Sequence, residues 1–370
     1  MNPFVYSRPV DPANLIDRDT EVGQLVDLGE GGHAVRLSGP RRYGKTSLLY
    51  RVRDEARAAG MNCVYVDLWG AVSLADLADT IERAYRDELK GPIRNAAVAA
   101  MRALRPTLRA SPGGVGADFS PTGDSEPAQR LRGLLDLPVK LYERRAVRTL
   151  VIFDEFQEIL KAGDDLDALL RSRIQHHGDA ASYIYSGSHP GLMEELFGRN
   201  ERPLFGQARP VYLGPLSDSD LADYIGGRFE QTGRHVGETL ERLLDLVAGH
   251  PQRAMMVAHQ LWERTEPGAT ARLEDFDEAL AAVRAEAREA VEAVWASLGP
   301  VERRVVSALA RSDDSLLSDR TLNRFQLAKS SAREARERLV AAGDLHRVGE
   351  EIAIVDPLLA DFAGGMAESD

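Results

Sequence analysis

The sequence predicts an α/β fold in three parts: a parallel β-sheet domain, an all-helical region and a small C-terminal domain. Over residues 1–215, short apolar runs typical of strands alternate with helical patterns, as in a sheet with crossover helices. Residues 216–298 show helical patterns alone. Residues 299–370 combine three helical segments with a hairpin pattern, which indicates a winged helix-turn-helix domain.

Five apolar segments are the predicted strands of the sheet. They are residues 34–38, 62–67, 149–153, 182–185 and 210–213. The third, Thr-Leu-Val-Ile-Phe, is apolar and largely β-branched, as expected for a strand buried on both faces of a parallel sheet. Helical spacing follows the first two strands, at 47–56 and 74–85. Pro, Gly, Ser and Asp are concentrated in about residues 105–126, so we expect a flexible insertion there.

The first strand leads into a loop, residues 39–46, that fits the pattern G-x-x-x-x-G-K-[ST] and is followed by a helix. In such a P-loop the glycines let backbone N–H groups turn toward phosphate oxygens, and the helix N-terminus and Lys45 add positive charge. Thr46 is expected to hold Mg²⁺. The residues predicted to bind nucleotide here are Gly39, Pro40, Arg41, Arg42, Tyr43, Gly44, Lys45, Thr46 and Ser47.

A pair of carboxylates, Asp154 and Glu155, follows the third strand. We expect Asp154 to assist the metal ion and Glu155 to deprotonate the water that attacks the γ-phosphate. An apolar run followed by Asp-Glu also occurs at surface turns, but beside a phosphate loop it indicates ATP hydrolysis. The predicted cofactors are therefore ATP and Mg²⁺.

Two further kinds of side chain are candidates for the catalytic centre. Ser188, and after it Ser186, follow the fourth strand, where a hydroxyl would face the γ-phosphate; a turn serine is an equally good interpretation. Phosphoryl transfer commonly uses an arginine that neutralises transition-state charge, and Arg253 and Arg209 are the candidates, although such arginines are more often surface charges. The predicted catalytic residues are Glu155, Lys45, Ser188, Arg253 and Arg209.

The sheet domain is assigned residues 1–215, the helical lid 216–298 and the winged-helix domain 299–370. Helices are predicted in the lid at 217–229, 238–247, 252–263 and 273–298. The last domain has predicted helices at 301–309, 322–327 and 331–341, before a hairpin at 344–355 that turns at Gly349.

The composition limits the classes of function. Hydrophobic residues make up 44% and charged residues 28%, which is typical of a globular protein. No apolar run approaches the roughly 20 residues that span a bilayer, and the start of the chain lacks a signal-peptide pattern, so we expect a cytoplasmic protein without membrane association. The net charge of −12 argues against a protein that coats nucleic acid through bulk electrostatics.

With these residues in view, the chain resembles the archaeal-type ATPases of the STAND branch of the AAA+ proteins, which are related to the origin-recognition ATPases. The resemblance extends from about residue 4 to residue 362. The segments that carry it are 39–48 (GPRRYGKTSL), 151–157 (VIFDEFQ), 213–217 (LGPLS), 249–251 (GHP) and 356–360 (DPLLA). The resemblance implies a helical lid, a winged-helix domain, and closure of Arg18 and Pro251 over the adenine and ribose. Ile-Asp-Arg at 16–18 stands where the family usually has Val-Gly-Arg.

Three functions are compatible with these patterns. The first is an ATP-dependent molecular switch, whose nucleotide state controls how the winged-helix domain is presented to a partner. The second is a DNA-binding initiator or regulator of the origin-recognition type, and the third is a non-catalytic ATP-binding scaffold. We favour the switch, because the carboxylate pair accompanies the phosphate loop.

The partner surface is predicted within residues 299–365. Its expected recognition helix carries Arg333, Arg336 and Arg338, whose side chains are suited to phosphates or base edges of double-stranded DNA. Acidic residues interleave them, and residues 299–370 hold 10 Lys or Arg against 13 Asp or Glu. DNA and a protein partner are therefore equally supported. Nucleotide-dependent assembly into a homo-oligomer is a further alternative.

Overall fold

A computed structural model of the chain describes residues 1–104, 109–111, 114–116, 126–163, 165–312, 314–348 and 351–365. Its strands are β1 (Ala34–Ser38), β2 (Asn62–Asp67), β3 (Arg109–Ser111), β4 (Gly114–Gly116), β5 (Thr149–Asp154), β6 (Ala181–Gly187), β7 (Arg209–Tyr212), β8 (Leu345–Val348) and β9 (Glu351–Ile354). Its α-helices are α1 (Asp19–Glu30), α2 (Lys45–Ala58), α3 (Leu74–Glu88), α4 (Gly91–Arg102), α5 (Glu126–Leu135), α6 (Leu137–Arg145), α7 (Ile159–Ala162), α8 (Leu166–Ile174), α9 (Pro190–Phe197), α10 (Asp218–Gln231), α11 (Thr239–Val247), α12 (Pro251–Arg264), α13 (Leu273–Ser297), α14 (Pro300–Arg311), α15 (Asp319–Arg324), α16 (Lys329–Ala342) and α17 (Pro357–Gly365).

The main sheet has five parallel strands in the order β2-β5-β6-β1-β7. Every residue of the central strands β5 and β6 is buried, which explains why their sequences are apolar without alternation. Helices cover both faces: α1 and α2 bury Val22 and Leu48 against one face, and α3 and α5 bury Leu77 and Leu131 against the other. The predicted parallel α/β sheet is confirmed.

The register of the sheet brings three loops to one edge. Ser38, at the end of β1, pairs with Gly187 near the end of β6, and Phe153 of β5 pairs with Tyr185 of β6. Because the strands are parallel, the segments that follow β1, β5 and β6 all leave from the same edge. The phosphate loop, the carboxylate pair and the predicted serine therefore become neighbours.

Helix ends match local sequence signals. Ser73 and Ser217 cap α3 and α10, each accepting a hydrogen bond from the backbone N–H three residues later. Pro251 occupies the first turn of α12, where its missing N–H costs no hydrogen bond. Gly343, with φ of 89°, ends α16 in the left-handed conformation that glycine adopts without strain.

The predicted insertion at 105–126 lies mostly outside the described residues. The parts that the structure describes are β3 and β4, which pair antiparallel, and the first residue of α5. The predicted turn at Gly349 also lies outside the described residues, but β8 and β9 pair antiparallel on either side of it.

The region after the sheet is helical, as predicted, and packs around one core. Buried residues from Leu216 in the segment before α10 to Ala363 in α17 form a continuous apolar cluster. Helix α13 contributes Val283, Ala287 and Val291 to this cluster, and it packs against both α12 and α17. The packing is therefore continuous across the predicted boundary at 298, and that boundary stays a prediction.

Helix α16 and Phe4 provide two of the contacts between this helical body and the rest of the chain. Helix α16 packs on α9, so closely that a Cβ at Gly191 would lie 2.7 Å from the carbonyl oxygen of Ala341. At the other end, Phe4 is buried in the helical core, where its ring lies 5.5 Å from the ring of Phe229. Among the described helices, none is both long enough and apolar enough to cross a bilayer.

Candidate functional site

The phosphate loop is shaped by two glycines. Gly44 has φ of 83° and directly precedes the first residue of α2. This position therefore needs a residue that adopts the left-handed backbone conformation without strain. At Gly39 a Cβ would lie 2.6 Å from the carbonyl oxygen of Leu213, in the segment after β7. Any larger residue at position 39 would push the loop away from the sheet.

Lys45 lies at the centre of the loop and is almost completely buried. Its ammonium donates hydrogen bonds to the carbonyl oxygens of Gly39 and Pro40, at 2.8 and 2.7 Å. Burial lowers the pKa of Lys45 to about 8, while the nearby carboxylates of Asp154 and Glu155 oppose this shift. The loop thus holds a desolvated cation where phosphate oxygens are expected.

Asp154 connects the phosphate loop with the end of β5. Its Oδ2 accepts hydrogen bonds from the hydroxyls of Thr46 and Tyr65, each at 2.8 Å. Burial and the negative charge of Asp154 raise the pKa of Tyr65, so the phenol stays protonated and donates. Tyr65, in the middle of β2, was not singled out by the sequence, because its strand pattern is explained by burial alone.

Glu155 is held by two side chains through a single oxygen. Its Oε2 accepts hydrogen bonds from the hydroxyl of Ser188 at 2.7 Å and from the amide of Gln157 at 2.5 Å. Its other oxygen, Oε1, accepts no hydrogen bond from the described residues, and the residue adopts φ of 51°. The carboxylate is therefore oriented while one oxygen remains available. Ser186, the second serine candidate, is fully buried, and it does not line the cavity around Glu155.

A cavity of about 440 Å³ joins these residues. It is lined by the loop residues Gly44 to Ser47 together with Glu155 and Ser188, and its far wall includes Arg18 and Pro251. The structure therefore brings most of the predicted site residues to one cavity, whereas Gly39, Pro40 and Asp154 do not line it. The lining also includes the apolar side chains of Leu216 and Met255.

The side chain of Arg18 connects the start of α1 with the segment after β7. Its guanidinium donates to Glu21 at 2.8 Å and to the carbonyl oxygen of Gly214 at 2.6 Å, and it is 6% exposed. Asp17 and Arg18 both have positive φ, 51° and 75°. Asp17 adopts the left-handed conformation that the family's usual glycine would supply, and aspartate tolerates it better than most residues.

Residues 5–10 form part of the cavity wall, which the sequence did not reveal. The backbone N–H of Val10 donates to Ser47 Oγ at 3.1 Å, and Gln252 of α12 donates to the carbonyl oxygen of Tyr6 at 3.0 Å. This segment thus links the helix after the phosphate loop with the helical body. Its contacts are to residues about 40 and 250 positions away, so its local pattern carried no signal.

Neither predicted arginine lies in the cavity. The guanidinium of Arg253 is buried in a bidentate ion pair with Asp356, with N···O distances of 3.0 and 2.6 Å. Arg209 is exposed at the start of β7, paired in register with Val35, and so lies toward the edge of the sheet opposite the phosphate loop. A contact of either side chain with nucleotide in the same chain would require rearrangement, so the geometry gives these two predictions no support.

Tyr43 connects the phosphate loop to the helical body. Its side chain is 2% exposed, and its ring lies 4.9 Å from that of His250 and 5.8 Å from that of His346 in β8. Tyr212 of the sheet approaches His346 as well, with 3.3 Å between the hydroxyl and Nδ1. Burial lowers the pKa of His250 to about 4, so this ring is neutral at pH 7.

The donor set fits magnesium bound together with phosphates. Among the described residues no group of three or more His, Cys, Asp or Glu side chains could hold a metal ion by itself. Mg²⁺ in nucleotide sites usually takes one or two protein oxygens and completes its shell with water and phosphate. Thr46 Oγ1 and Asp154 Oδ2, 2.8 Å apart, supply that kind of incomplete set.

Comparisons with known proteins agree with this fold. Residues 30–194 match the family model described as an AAA domain. The Walker-type ATPase PABY2304 of Pyrococcus abyssi is 18% identical and superposes over 96% of this chain and 98% of its own, with a TM-score of 0.67. The ORC2 protein of Aeropyrum pernix, solved in ADPNP and ADP complexes, is 17% identical over 98% of this chain and 96% of its own, with a TM-score of 0.58.

No curated protein matches the sequence. At such low identities the two structures show a shared fold over nearly the whole chain, including the helical region after the sheet. The family match covers the phosphate loop, the carboxylate pair and Ser188. The chain therefore has an AAA+ P-loop fold, and residues 30–194 are the part that matches the AAA domain model.

Proposed function

We propose that this protein is an ATP-dependent molecular switch that binds and hydrolyses Mg-ATP. One observation carries the proposal: Tyr43 is part of the phosphate loop and also packs between the rings of His250 and His346. A change in loop conformation on nucleotide binding would therefore reach the helical body directly. A scaffold that only stored nucleotide would not need this contact.

The hydrolytic step assigns roles to the residues at the sheet edge. Lys45 and the loop amides bind the β- and γ-phosphates, and Thr46 and Asp154 hold the metal ion that accompanies them. Glu155 accepts a proton from the attacking water at its unpartnered oxygen Oε1. Ser188 and Gln157 hold the other oxygen, which fixes the direction of the carboxylate.

The moving unit in this proposal is the whole of residues 216–365. Because the helical region and the C-terminal segment share one apolar core, separating them would expose many buried side chains, whereas their contact with the sheet is local. The ion pair between Arg253 and Asp356 adds a polar contact between the two parts, because it joins α12 to the segment before α17. We therefore propose that nucleotide changes the position of both parts together.

Fluorescence energy transfer between the two bodies tests the switch. Cysteines introduced at Glu143 on α6 and Ser330 on α16 lie at exposed positions, and the native Cys63 is buried. We expect ATP and ADP to give different transfer efficiencies in the wild type and no difference in Lys45→Met. In His346→Ala, which leaves the cavity lining intact, ATP affinity should persist while the change in transfer shrinks.

The exposed Phe205→Ala change is the matched control, because it removes an aromatic side chain from the sheet domain away from Tyr43. It should leave the ATP-dependent change in transfer intact. Equal transfer with ATP, ADP and no nucleotide in the wild type would contradict the switch. Phosphate release by the wild type, lost in Glu155→Gln, separates the hydrolytic switch from the scaffold.

A protein partner is favoured over DNA by the charges on α16. Arg338 is engaged by Glu302 at 2.8 Å and by Glu334 at 2.9 Å, and Arg336 is engaged by Glu337. Of the three candidate arginines only Arg333 lacks a carboxylate partner among the described residues. Phosphate binding would have to replace these pairs, which weakens the electrostatic gain. A shift assay on random duplex should show no binding at low salt; salt-dependent binding, lost in Arg333→Ala, would instead support the initiator function.

A further inference from the structure

We propose that Arg41, within the phosphate loop of the same chain, supplies the positive charge that stabilises the transferring γ-phosphoryl group. This inference rests on the proposed ATP hydrolysis. It replaces Arg209 and Arg253, which the sequence favoured and which the structure places outside the cavity.

The argument begins with the cations that line the cavity. Besides Lys45 they are Arg8, Arg18, Arg41 and Arg42. The guanidinium of Arg18 is already engaged by Glu21 and by the carbonyl oxygen of Gly214. Arg8, Arg41 and Arg42 are exposed and form no hydrogen bond or ion pair with any residue that the structure describes. Three free guanidinium groups are therefore available.

Arg41 is the one of the three that directly follows Pro40, whose carbonyl oxygen accepts a hydrogen bond from Lys45, and it lines the cavity together with Glu155 and Ser188. It lies near enough to His189, the neighbour of Ser188, to contribute to the lowered pKa of that ring, in which burial is the larger cause. Burial is the main cause of the pKa shifts of Lys45 and of Asp344, the residue before β8. The positive charge of Arg41 adds to the lowering of the pKa at Lys45 and opposes its rise at Asp344. The pKa of Arg42 is lowered by burial, and the charges of Arg253 and Asp356 in the helical body also act on it.

Arg8 lines the cavity from outside the phosphate loop. It belongs to the N-terminal segment, which is anchored to α12 through Gln252 and to Ser47 in the first turn of α2. The segment's neighbour Gln252 follows Pro251, the residue expected to close over the adenine and ribose, and Pro251 and Tyr224 line the same cavity. Arg8 is therefore suited to the ribose or the outer phosphates rather than to the γ-phosphate.

The chemistry at this place requires a cation. The water oxygen forms a bond to the γ-phosphorus, its proton passes to Glu155, and the bond between the γ-phosphorus and the β–γ bridging oxygen breaks with its electron pair leaving on ADP. Negative charge on the equatorial oxygens and the leaving oxygen is stabilised by positioned donors, and a guanidinium matches phosphate geometry with two N–H groups. Arg41 adjoins the loop carbonyls that Lys45 holds, so it acts beside this lysine.

The test compares Arg41→Gln with wild type, Arg41→Lys and the exposed control Arg288→Ala on α13. In Arg41→Gln we expect kcat for ATP to fall at least about 100-fold, while affinity for a fluorescent ATP analogue changes less than about threefold. Arg41→Lys should recover only part of the rate, because an ammonium lacks the guanidinium fork. Arg288→Ala should match wild type.

A second readout does not depend on turnover. ADP with fluoroaluminate mimics the transferring phosphoryl group, so its tight complex with wild type should be lost in Arg41→Gln, while ADP alone binds both equally. Mixing Arg41→Gln with Glu155→Gln, which keeps Arg41, should restore no activity, because the arginine acts within its own chain. Activity above the sum of the two would overturn that assignment.

The outcomes separate the inference from the function on which it rests. If the wild type releases no phosphate, both are overturned. If the wild type is active, Glu155→Gln is inactive and Arg41→Gln keeps wild-type kcat and fluoroaluminate binding, the inference alone is wrong. Loss of ATP affinity with unchanged kcat in Arg41→Gln would show a ground-state contact and would also overturn it.

Discussion

Tyr65 donates a hydrogen bond to Asp154 through the same carboxylate oxygen that accepts from Thr46. The three residues come from β2, β5 and the start of α2, and the phenol lies 89 positions from the carboxylate. Parallel pairing of Tyr65 with Ile152 in the adjacent strand places its ring within reach of the strand end. The phosphate loop and the carboxylate pair are thus joined before any ligand arrives.

We expect Tyr65→Phe to weaken the affinity for the Mg²⁺ that supports ATP binding. The change removes one hydrogen bond that orients Asp154, while the ring stays and continues to pack against Tyr50. Loss of a hydrogen bond that orients a metal ligand should raise the Mg²⁺ concentration needed for half-maximal ATP binding by about 10-fold. A titration at fixed ATP measures it. Unchanged Mg²⁺ dependence would show that Thr46 alone orients the carboxylate.

Lys45→Met should stabilise the nucleotide-free protein while abolishing ATP binding. The pKa of Lys45 is about 8 in the folded state against about 10.5 unfolded, so below pH 8 folding buries an ammonium at a cost of at most about 3 kcal/mol. The unfolded state binds more protons between pH 8 and 10.5, so this cost diminishes as pH rises. Thermal unfolding should show an advantage of the variant at pH 7 that declines toward pH 10. A variant that is less stable than wild type at pH 7 would contradict this account.

His250→Asn should reduce the loss of stability in acid. Burial lowers the pKa of His250 to about 4, so from pH 6.5 down to 4 the unfolded state takes up a proton that the folded state resists, and stability falls by up to about 3 kcal/mol. Asparagine can still accept the hydrogen bond from the N–H of Arg253 that His250 Nδ1 accepts at 3.3 Å. Urea unfolding at pH 7 and pH 4.5 measures the difference. Parallel losses in both proteins would show that other groups control acid unfolding.

Asp356→Asn should destabilise the helical body by about 3 kcal/mol, because it leaves the buried guanidinium of Arg253 without a counter-charge. Burial by itself would raise the pKa of Asp356, but the hydrogen bonds and charge of Arg253 lower it, which reflects a strong pair. Asparagine keeps an acceptor for the N–H of Leu358.

The pair between Arg284 and Asp361 is the matched control for this prediction. It has the same bidentate geometry, at 2.8 and 2.6 Å, but its arginine is about half exposed. Asp361→Asn should therefore cost no more than about 1 kcal/mol. Equal losses in the two variants, measured by urea unfolding, would show that burial does not distinguish the pairs.

The sequence predicted the sheet and the phosphate site because both are encoded locally. Fully apolar strands and the spacing of Gly39, Gly44 and Lys45 can be read within a few residues. The short terminal helix α17 was not predicted as a helix, although its Asp356-Pro start was noted. Its residues are buried on the shared core, and no local periodicity distinguished it from a loop.

Tertiary structure alone decided which side chains meet. Ser188 reaches Glu155 from 33 positions away, and Arg253 reaches Asp356 from 103. Such pairs are set by strand order and helix packing, which no short pattern records. The sequence by itself determined that the chain carries a nucleotide-type loop on a parallel sheet. The fold decided that Arg41 rather than Arg253 lines the cavity, because packing buries Arg253 against the C-terminal segment and leaves Arg41 free at the mouth of the phosphate loop.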